Sequence, residues 1–320
     1  MNRLAVVTSG GDAPGMNAAV RAVTRIALGA GVEVLGVHHG YQGLIDGHFE
    51  HLSSLSVSDI IHRGGTILGT ARSEHFKSAA GLQRAADNLK ARTVDGLVVI
   101  GGDGSLAGSH DLHARGKFPV NHVPSSIDGD LAGTDHSIGF DSAVNTAIEA
   151  IDRIRDTAES LDRVFVVEVM GRDHGFLALQ TGLAAGAEEI LVPEIPWDLQ
   201  AISRDLLASA ERGKRSFIIV VAEGAASATE IAPTIQGLTH FETRHAVLGH
   251  IQRGGSPSAF DRALATRLGA AAARLLLEGV SGVMVGDSAE SIIHASLAEV
   301  VARAKPFDTE RHRLARQVSR

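Results

Sequence analysis

Residues 96–105 read GLVVIGGDGS, an apolar and β-branched run that ends in a glycine-rich turn. A short continuous apolar run bounded by glycines is typical of a strand that is buried on both faces of a parallel sheet. The glycines that follow let backbone N–H groups approach a phosphate group without interference from Cβ atoms. The stretch therefore predicts a buried strand, a phosphate-binding turn and the start of a helix.

The same arrangement recurs along the chain. Other apolar runs that precede glycine-containing turns are Leu4–Val7 before Ser9–Asp12, Val164–Val169 before Met170–Arg172, and Phe217–Val221 before Ala222–Gly224. Helix-like stretches are Met16–Ala27, Val144–Arg155 and Ala263–Glu278. The alternation predicts an α/β fold, and the length of 320 residues indicates about two domains. Because ligands collect at the carboxyl ends of parallel strands, the four turns form one candidate site.

Composition narrows the range of partners. The formal net charge of −7 opposes non-specific binding of nucleic acid, and a single Trp and a single Tyr give no base-stacking surface. The chain contains no cysteine, which excludes disulfides, thiolate metal sites and cysteine nucleophiles. No apolar run reaches the roughly 18 residues of a membrane span, and the N-terminus has no signal-peptide pattern. We therefore expect a cytoplasmic protein that binds neither nucleic acid nor membrane.

Carboxylates stand in two of the predicted loops. Asp103 lies inside the glycine turn, where it suits a Mg²⁺ ion that bridges nucleotide phosphates, or alternatively the cap of the next helix. Asp128 and Asp130 flank Gly129 in the sequence SSIDGD, which follows the strand-like Pro119–Val123. Such a pair fits a division in which one carboxylate accepts a hydroxyl proton and the other supports the metal, although loop aspartates also form turns.

Loop arginines provide candidate groups for anions, because the guanidinium fork makes paired charged hydrogen bonds with phosphate. They are Arg72, Arg172, Arg244 and Arg253. Any one of them alone is more often a solvated surface residue, so it is their accumulation that favours an anionic small-molecule substrate. The P-loop sequence GxxxxGK[ST] is absent, and a nucleotide must then be held in another way.

Taken together, these segments resemble the bacterial ATP-dependent 6-phosphofructokinase family over essentially the whole chain. The matching segments are Thr8–Asn17, Arg63–Thr66, Gly101–Ser105, Ile138–Asp141, Met170–Arg172 and Leu248–Pro257. The resemblance implies the phosphofructokinase fold, with a larger ATP/Mg²⁺ domain (residues 1–139 and 252–305) and a smaller sugar-phosphate domain (residues 140–251 and 306–320). It also implies transfer of the terminal phosphate of ATP to fructose 6-phosphate, which gives fructose 1,6-bisphosphate.

The resemblance also implies roles for individual residues. Asp128 would be the general base, Arg172 would neutralise charge on the transferred phosphoryl group, and Asp103 would bind Mg²⁺. The implied ATP-binding residues are Gly11, Arg72, Ser73, Gly102, Asp103, Gly104 and Ser105. The implied sugar-phosphate residues are Ser126, Asp128, Arg163, Met170, Gly171, Arg172, Glu223, Arg244, His250 and Arg253. Arg163 and Arg244 would reach across from a neighbouring subunit, which implies a homotetramer.

A separate effector site for ADP as activator or phosphoenolpyruvate as inhibitor is a further implication of the resemblance. The matching positions are Arg21, Arg25, Asp59, Arg155, Gly186, Glu188, Arg212, Lys214 and Arg215. Basic residues on helices are common on solvated faces, but the nearly full basic set favours allosteric control.

The sequence is compatible with other donors, other acceptors and a non-catalytic role. Pyrophosphate-using relatives typically have Asp at the place of Gly104 and Lys at the place of Ser125, so Gly104 favours ATP as donor. Whole-chain similarity argues against the NAD and lipid kinases that share GGDG turns, whereas a related ketose phosphate stays an alternative acceptor. Gly129 and Asp173 replace the usual Asn and His of the family, and they raise the alternative of a catalytically impaired regulatory subunit.

Overall fold

Residues 1–319 are described by the structure, a computed structural model, and they divide into two compact units. The first unit contains Met1–Ser142 and Arg253–Lys305, and the second contains Ala143–Gln252 and the segment that begins at Pro306. The chain crosses between the units after residues 142, 252 and 305, whereas the predicted crossings are after residues 139, 251 and 305.

Strands and helices alternate along most of the chain. In chain order the strands are β1 (Arg3–Ser9), β2 (Glu33–Val37), β3 (Phe49–Leu52), β4 (Gly96–Gly101), β5 (Val120–Pro124), β6 (Val164–Val169), β7 (Glu189–Leu191), β8 (Phe217–Ala222), β9 (Thr243–Val247), β10 (Val283–Ser288) and β11 (Ser291–Ser296). The α-helices are α1 (Met16–Gly29), α2 (Gly40–Asp46), α3 (Ala79–Ala91), α4 (Asp103–Ala114), α5 (Phe140–Leu161), α6 (Phe176–Ala185), α7 (Leu199–Glu211), α8 (Ala228–Thr239), α9 (Ala259–Leu277), α10 (Leu297–Val301) and α11 (Thr309–Val318). Short 3-10 helices lie at His75–Lys77 and Gly249–Arg253. None of the helices within residues 1–319 is both long enough and apolar enough to cross a membrane.

The first unit is built on a seven-stranded sheet with the order β11-β10-β5-β4-β1-β2-β3. Neighbouring strands pair in parallel except at the two edges, where β3 and β11 are antiparallel to their neighbours. Leu4 and Val6 of β1 pack on one face with α1 and α9, whereas Ala5 and Val7 pack on the other face with α2 and α3. Burial on both faces explains why β1 and β4 are continuous apolar runs.

The second unit is built on a four-stranded parallel sheet with the order β7-β8-β6-β9. Val167 and Val169 of β6 face a core that includes α6, and Val164 and Val166 face a core that includes α7 and α8. Both faces of this sheet are therefore covered as well. The predicted α/β fold, with two mostly parallel sheets flanked by helices, is confirmed.

The strand order of the large sheet marks one place for a ligand. β1 lies between β2 and β4, so the chain leaves β1 toward one side and later returns on the other side. Open α/β sheets bind ligands outside the carboxyl ends of strands at such a switch point. The turn after β1 and the turn after β4 border this place.

Candidate active site

Three loops of the first unit begin at the same level of the large sheet. Ser9 at the end of β1 is in register with Gly101 at the end of β4, and Gly101 is in register with Pro124 at the end of β5. The two predicted phosphate turns and the predicted carboxylate loop therefore lie side by side. A Cβ atom added at Gly102 would lie 3.5 Å from the Cβ atom of Ser126, which brings the β4 turn into contact with the β5 loop.

The turns after β1 and β4 approach each other closely. A Cβ atom added at Gly10 would lie 3.0 Å from the Ser105 hydroxyl, and one added at Gly101 would lie 2.5 Å from the Ser9 carbonyl oxygen. Glycine permits this approach because it has no Cβ atom. α4 begins at Asp103, within the Gly101–Ser105 turn, so the N–H groups and the positive dipole end of this helix lie here. Together these features have the chemistry of an anion-binding site.

Arg253, predicted for the sugar phosphate, lies against the turn after β1. A Cβ atom added at Gly11 would be 2.9 Å from the Arg253 Nη2 atom, and Nη1 is 3.9 Å from the Asp12 carboxylate. The Arg253 side chain is 16% exposed. A glycine at position 11 therefore makes room for a largely buried guanidinium beside the phosphate turn.

The segment that contains Arg72 and Ser73 is anchored to the same turn. The Thr70 hydroxyl donates a hydrogen bond to the Gly10 carbonyl oxygen at 2.8 Å. Arg72 follows two residues later and is exposed. The Ser73 hydroxyl donates to Oε1 of Gln42 at 2.8 Å. Both predicted ATP-binding residues thus follow directly on this anchor, which no local sequence pattern indicates.

Asp128 stands in a loop that other groups hold in place. The Ser126 N–H donates to the Ile138 carbonyl oxygen at 3.0 Å, and the Ser137 hydroxyl donates to the Ser126 carbonyl oxygen at 2.7 Å. The Asp128 N–H donates to the Ser126 hydroxyl oxygen at 3.1 Å. Asp128 is 4% exposed, whereas Asp130 is only partly buried. The two carboxylates of the SSIDGD loop therefore have different environments.

Gly129 has a left-handed backbone with φ of 70°. Asn also tolerates this conformation, but a Cβ atom at position 129 would lie 2.6 Å from the Phe140 ring. The ring occupies the space that an amide side chain would need, so Phe140 and Gly129 fit each other in this chain. The effect of this replacement on turnover stays a prediction.

The donor set at Asp103 fits Mg²⁺. Its carboxylate is exposed at the first position of α4. Within residues 1–319, no group of three or more His, Asp or Glu side chains is arranged to hold a metal ion. Mg²⁺ usually binds one or two carboxylates and completes its octahedral shell with water and substrate phosphates. A single exposed carboxylate beside a phosphate turn is sufficient for that ion.

A buried polar cluster lies beneath the turn after β4. The Tyr41 hydroxyl donates to the Ser105 carbonyl oxygen at 2.5 Å, and His122 Nε2 is 2.9 Å from the Gly101 carbonyl oxygen. The Ser109 hydroxyl is 3.1 Å from the Tyr41 hydroxyl and 3.0 Å from His122 Nδ1. This cluster was not predicted from the sequence, where its one signal is a histidine within the strand-like segment before the SSIDGD loop.

We expect the protein to lose stability through His122 as the pH falls from 6.5 to 4. Burial lowers the pKa of the His122 imidazole from 6.5 to about 4 and outweighs the hydrogen bond to the Gly101 carbonyl oxygen. The unfolded chain therefore takes up this proton at a higher pH than the folded chain, and about 3 kcal/mol of stability is lost across the range. Tyr41 reaches the same turn, and its pKa is raised by burial and, to a smaller extent, by the charge of Asp111. Urea unfolding at pH 7.5 and 4.5 should show a smaller difference for His122→Gln than for the wild type, and equal differences would contradict the assignment.

The second unit presents another group of predicted residues at the carboxyl ends of its small sheet. Val169 at the end of β6 is in register with Ala222 at the end of β8, and β9 pairs with the other side of β6. The loops that follow contain Met170, Gly171, Arg172, Glu223 and His250. The structure thus brings these predicted sugar-phosphate residues to one edge of the small sheet.

Arg172 has a left-handed backbone with φ of 51°, which is uncommon for a residue other than glycine. Its N–H donates to Oε1 of Glu223 at 2.8 Å. A Cβ atom added at Gly224 would collide with the Arg172 carbonyl oxygen. Glu223, predicted as a sugar contact, therefore also holds the backbone of Arg172, and Gly224 leaves room for it. An unusual backbone conformation that its surroundings maintain is common at functional sites.

Arg163 and Arg244 lie at the opposite end of the small sheet, where β6 and β9 begin. Both contact Glu242: Arg163 Nε is 2.8 Å and Arg244 Nη2 is 2.5 Å from its carboxylate oxygens. The hydrogen bond and the charge of Arg163 hold the pKa of Glu242 below its usual range. The structure does not bring these arginines to the Met170–Arg172 loop of the same chain. Glu242 was not predicted from the sequence.

Part of the predicted effector set meets in the second unit. Arg155 Nη2 donates to the Ala185 carbonyl oxygen at 2.6 Å and is 3.4 Å from that of Gly186. Glu188 forms an ion pair with Lys214. The remaining predicted residues are Arg212 beside Ser209, Arg215 paired with Asp162, and Arg21, Arg25 and Asp59 in the first unit.

The fold and these loops define an α/β protein with anion-binding features at the carboxyl ends of parallel strands. The sequence matches the Phosphofructokinase family over residues 3–276. It is 54% identical, over 319 residues and 100% of each chain, to the ATP-dependent 6-phosphofructokinases of Halalkalibacterium halodurans and Brevibacillus brevis. The phosphofructokinase structure from Saccharomyces cerevisiae superposes with a TM-score of 0.87 at 38% identity, covering 94% of this chain and 45% of the yeast chain. The chain belongs to the phosphofructokinase family.

Proposed function

We propose that the chain transfers the terminal phosphate of ATP to the 1-hydroxyl of fructose 6-phosphate. The observation that carries this proposal is the register of β1, β4 and β5, which sets the glycine turn after β1 beside the turn of Asp103 and the loop of Asp128. Phosphoryl transfer to a hydroxyl needs backbone donors for the phosphates, a carboxylate for the metal and a base for the acceptor. Full-length relatives at 54% identity are named for this activity.

Each predicted residue then has a task. Asp128 takes the proton from the sugar hydroxyl, and Arg172 neutralises the charge that grows on the transferred group. The nucleotide is held by Gly11, Arg72, Ser73, Gly102, Asp103, Gly104 and Ser105. The sugar phosphate is held by Ser126, Arg163, Met170, Gly171, Glu223, Arg244, His250 and Arg253. Low exposure of Asp128 and the hydrogen bonds of its loop support a base with a fixed position.

Mg²⁺ supplies charge neutralisation for the phosphates when it is bound. Asp103 would hold it, because this carboxylate is exposed at the phosphate turn. Asp130, which is partly buried in the neighbouring loop, is the second carboxylate that could support the metal through water.

The assembly and its regulation are part of the proposal. A homotetramer in the cytoplasm, activated by ADP or inhibited by phosphoenolpyruvate, fits two observations. Arg163 and Arg244 gather around Glu242 at the end of the small sheet opposite to Arg172, which supports their action on a neighbouring subunit. The contact of Arg155 with Gly186 and the ion pair of Glu188 with Lys214 support an effector site in the second unit.

Formation of fructose 1,6-bisphosphate in an aldolase-coupled assay tests the activity. ATP with Mg²⁺ and pyrophosphate with Mg²⁺ are offered in parallel as donors, and we expect product only with ATP. Product with pyrophosphate would overturn the choice of donor. Calorimetric binding of ATP·Mg²⁺ without product from either donor would instead support the catalytically impaired regulatory subunit.

Gly104→Asp should raise the KM for ATP·Mg²⁺ about tenfold, because a carboxylate would stand beside the phosphates of the nucleotide. Apart from its chain neighbours and the backbone of α4, a Cβ atom at Gly104 meets no atom of residues 1–319 within 4 Å, so the melting temperature should not change. Gly104→Asn is the matched control, since it has the same shape without the charge. Equal KM values for the two variants would show that charge at this position is not sensed.

A further inference from the structure

The polar cluster beneath the β4 turn contacts both ends of the segment that holds Asp103. Tyr41 on α2 reaches the Ser105 carbonyl oxygen, and His122 on β5 reaches the Gly101 carbonyl oxygen. His122 and Ser109 are both 0% exposed. Bulk solvent therefore supplies no hydrogen bonds to His122 and Ser109, and each of their polar atoms depends on a partner inside the protein.

The two carbonyl oxygens determine where the protons of the cluster lie. A carbonyl oxygen only accepts, so the Tyr41 hydroxyl donates to Ser105 and the Nε2–H group of His122 donates to Gly101. Neutral His122 then has Nδ1 as an acceptor, and the Ser109 hydroxyl is the donor within reach at 3.0 Å. The Ser109 hydroxyl also lies 2.9 Å from the Ser105 carbonyl oxygen, so its single proton is shared between that oxygen and His122 Nδ1. The neutral Nε2–H tautomer of His122 is assigned from its contact with the Gly101 carbonyl oxygen.

The Gly101 carbonyl oxygen also joins the turn to the loop of the proposed base. It accepts the N–H group of Ser125 at 2.9 Å in addition to His122 Nε2 at 2.9 Å. One oxygen thus links the end of β4 to the beginning of the loop that contains Asp128. A displacement of this carbonyl would move the nucleotide turn relative to that loop.

We infer that His122 and its partners Ser109 and Tyr41 are positioning residues, which hold the Gly101–Ser105 turn in the geometry that binds ATP·Mg²⁺. The inference rests on the proposed function of that turn. If His122 only filled the core, an apolar residue of similar size would serve without the cost of burying polar atoms. Instead, the ring and both hydroxyls converge on the backbone of the turn.

Asn121 gives an internal comparison on the same strand. It is also 0% exposed, and its side chain donates to the carbonyl oxygens of Ala272 at 3.3 Å and Val280 at 3.0 Å. These partners lie in and after α9, not in the nucleotide turn. Asn121 and His122 are therefore neighbouring buried polar residues, of which only His122 contacts the turn.

The test compares His122→Leu with Asn121→Leu in the full-length protein. Each variant removes buried hydrogen bonds, so both should lower the melting temperature. Only His122→Leu should raise the KM and the calorimetric Kd for ATP·Mg²⁺, by about tenfold, with the KM for fructose 6-phosphate within about twofold of the wild type. His122→Gln keeps one donor and one acceptor and should restore the Kd to within about threefold. If the KM and the Kd for ATP·Mg²⁺ are unchanged in His122→Leu, then His122 only fills the core and the inference is overturned.

If His122→Leu does not fold, two variants that each remove a single hydroxyl group test the inference instead. Tyr41→Phe removes a single hydroxyl and keeps the stacking of the ring on Phe76, whose centroid is 4.0 Å away. Ser109→Ala removes the hydroxyl that contacts both His122 Nδ1 and the Ser105 carbonyl oxygen. Each should raise the Kd for ATP·Mg²⁺ about threefold, and unchanged values in both would overturn the inference. Calorimetry separates failure of this inference from failure of the proposed function. If the wild type binds ATP·Mg²⁺ but does not phosphorylate the sugar, the Kd values of the variants still show whether the cluster positions the turn.

Discussion

Asp128→Asn should lower kcat for phosphorylation of fructose 6-phosphate about 10³-fold, because general base catalysis contributes roughly 10²–10⁴-fold to such reactions. Asn has the shape of Asp but does not accept the hydroxyl proton. The hydrogen bonds that fix the loop are made by Ser126 and Ser137 with backbone groups, so they survive the substitution. Steady-state kinetics with ATP·Mg²⁺ measures the loss, and calorimetry should give a Kd for ATP·Mg²⁺ within about twofold of the wild type.

Asp135→Asn is the matched control for this loss. Asp135 is exposed, lies seven residues further along the same connection and accepts the Ala289 N–H at 3.0 Å. Its substitution removes one negative charge from the same region, and we expect kcat to change less than about twofold. A loss of similar size in both variants would indicate a general effect of charge. If Asp128→Asn keeps the kcat of the wild type, Asp128 is not the general base.

The large sheet and its turns are the part of the molecule that the sequence predicts best. β1 and β4 are continuous apolar runs because helices cover both faces of the sheet, and the glycines after them are needed for close backbone approach. Local signals of this kind lie within ten or so residues, so they can be read without knowledge of the rest of the chain. The turn at Gly101–Ser105 and the loop of Asp128 follow from them.

Contacts between distant segments have no comparable signal. His122 meets Ser109 across thirteen positions and Tyr41 meets Ser105 across sixty-four, and neither pairing has a periodic pattern. The role of Glu242 likewise cannot be predicted from the sequence, because an exposed acidic residue beside a strand resembles any solvated surface residue. Its role emerges only when β6 and β9 pair and bring Arg163 and Arg244 to it.

Arg172→Leu should lower kcat about 10²-fold or more, because a preorganised charge that meets the transferred phosphoryl group is worth several kcal/mol in the transition state. Arg172→Lys should recover part of the loss, since Lys supplies the charge without the planar fork. Quenched-flow measurement of the first turnover tests both variants, because it reports the chemical step rather than product release. The Kd for ATP·Mg²⁺ should stay within about threefold of the wild type.

Arg153→Leu controls for the removal of an arginine from the same unit. Arg153 lies on α5, is highly exposed and pairs with Glu149 one helical turn away. Exposed helix pairs of this kind contribute about 0.3–0.5 kcal/mol, so we expect neither kcat nor stability to change appreciably. A wild-type rate for Arg172→Leu would show that charge neutralisation comes from other groups.

The backbone of Arg172 can be disturbed while its guanidinium is kept, which separates the charge of this residue from its placement. Gly224→Ala puts a methyl group where the Arg172 carbonyl oxygen lies, so the left-handed turn has to shift although Glu223 still accepts the Arg172 N–H. Misplacement on the ångström scale costs up to about 10²-fold in rate, and we expect Gly224→Ala to lose about tenfold in kcat. If Gly224→Ala keeps the full rate while Arg172→Leu does not, the guanidinium reaches its position from more than one backbone geometry. If both lose rate, the strained turn is part of the catalytic apparatus, and Glu223 and Gly224 act on the reaction through it.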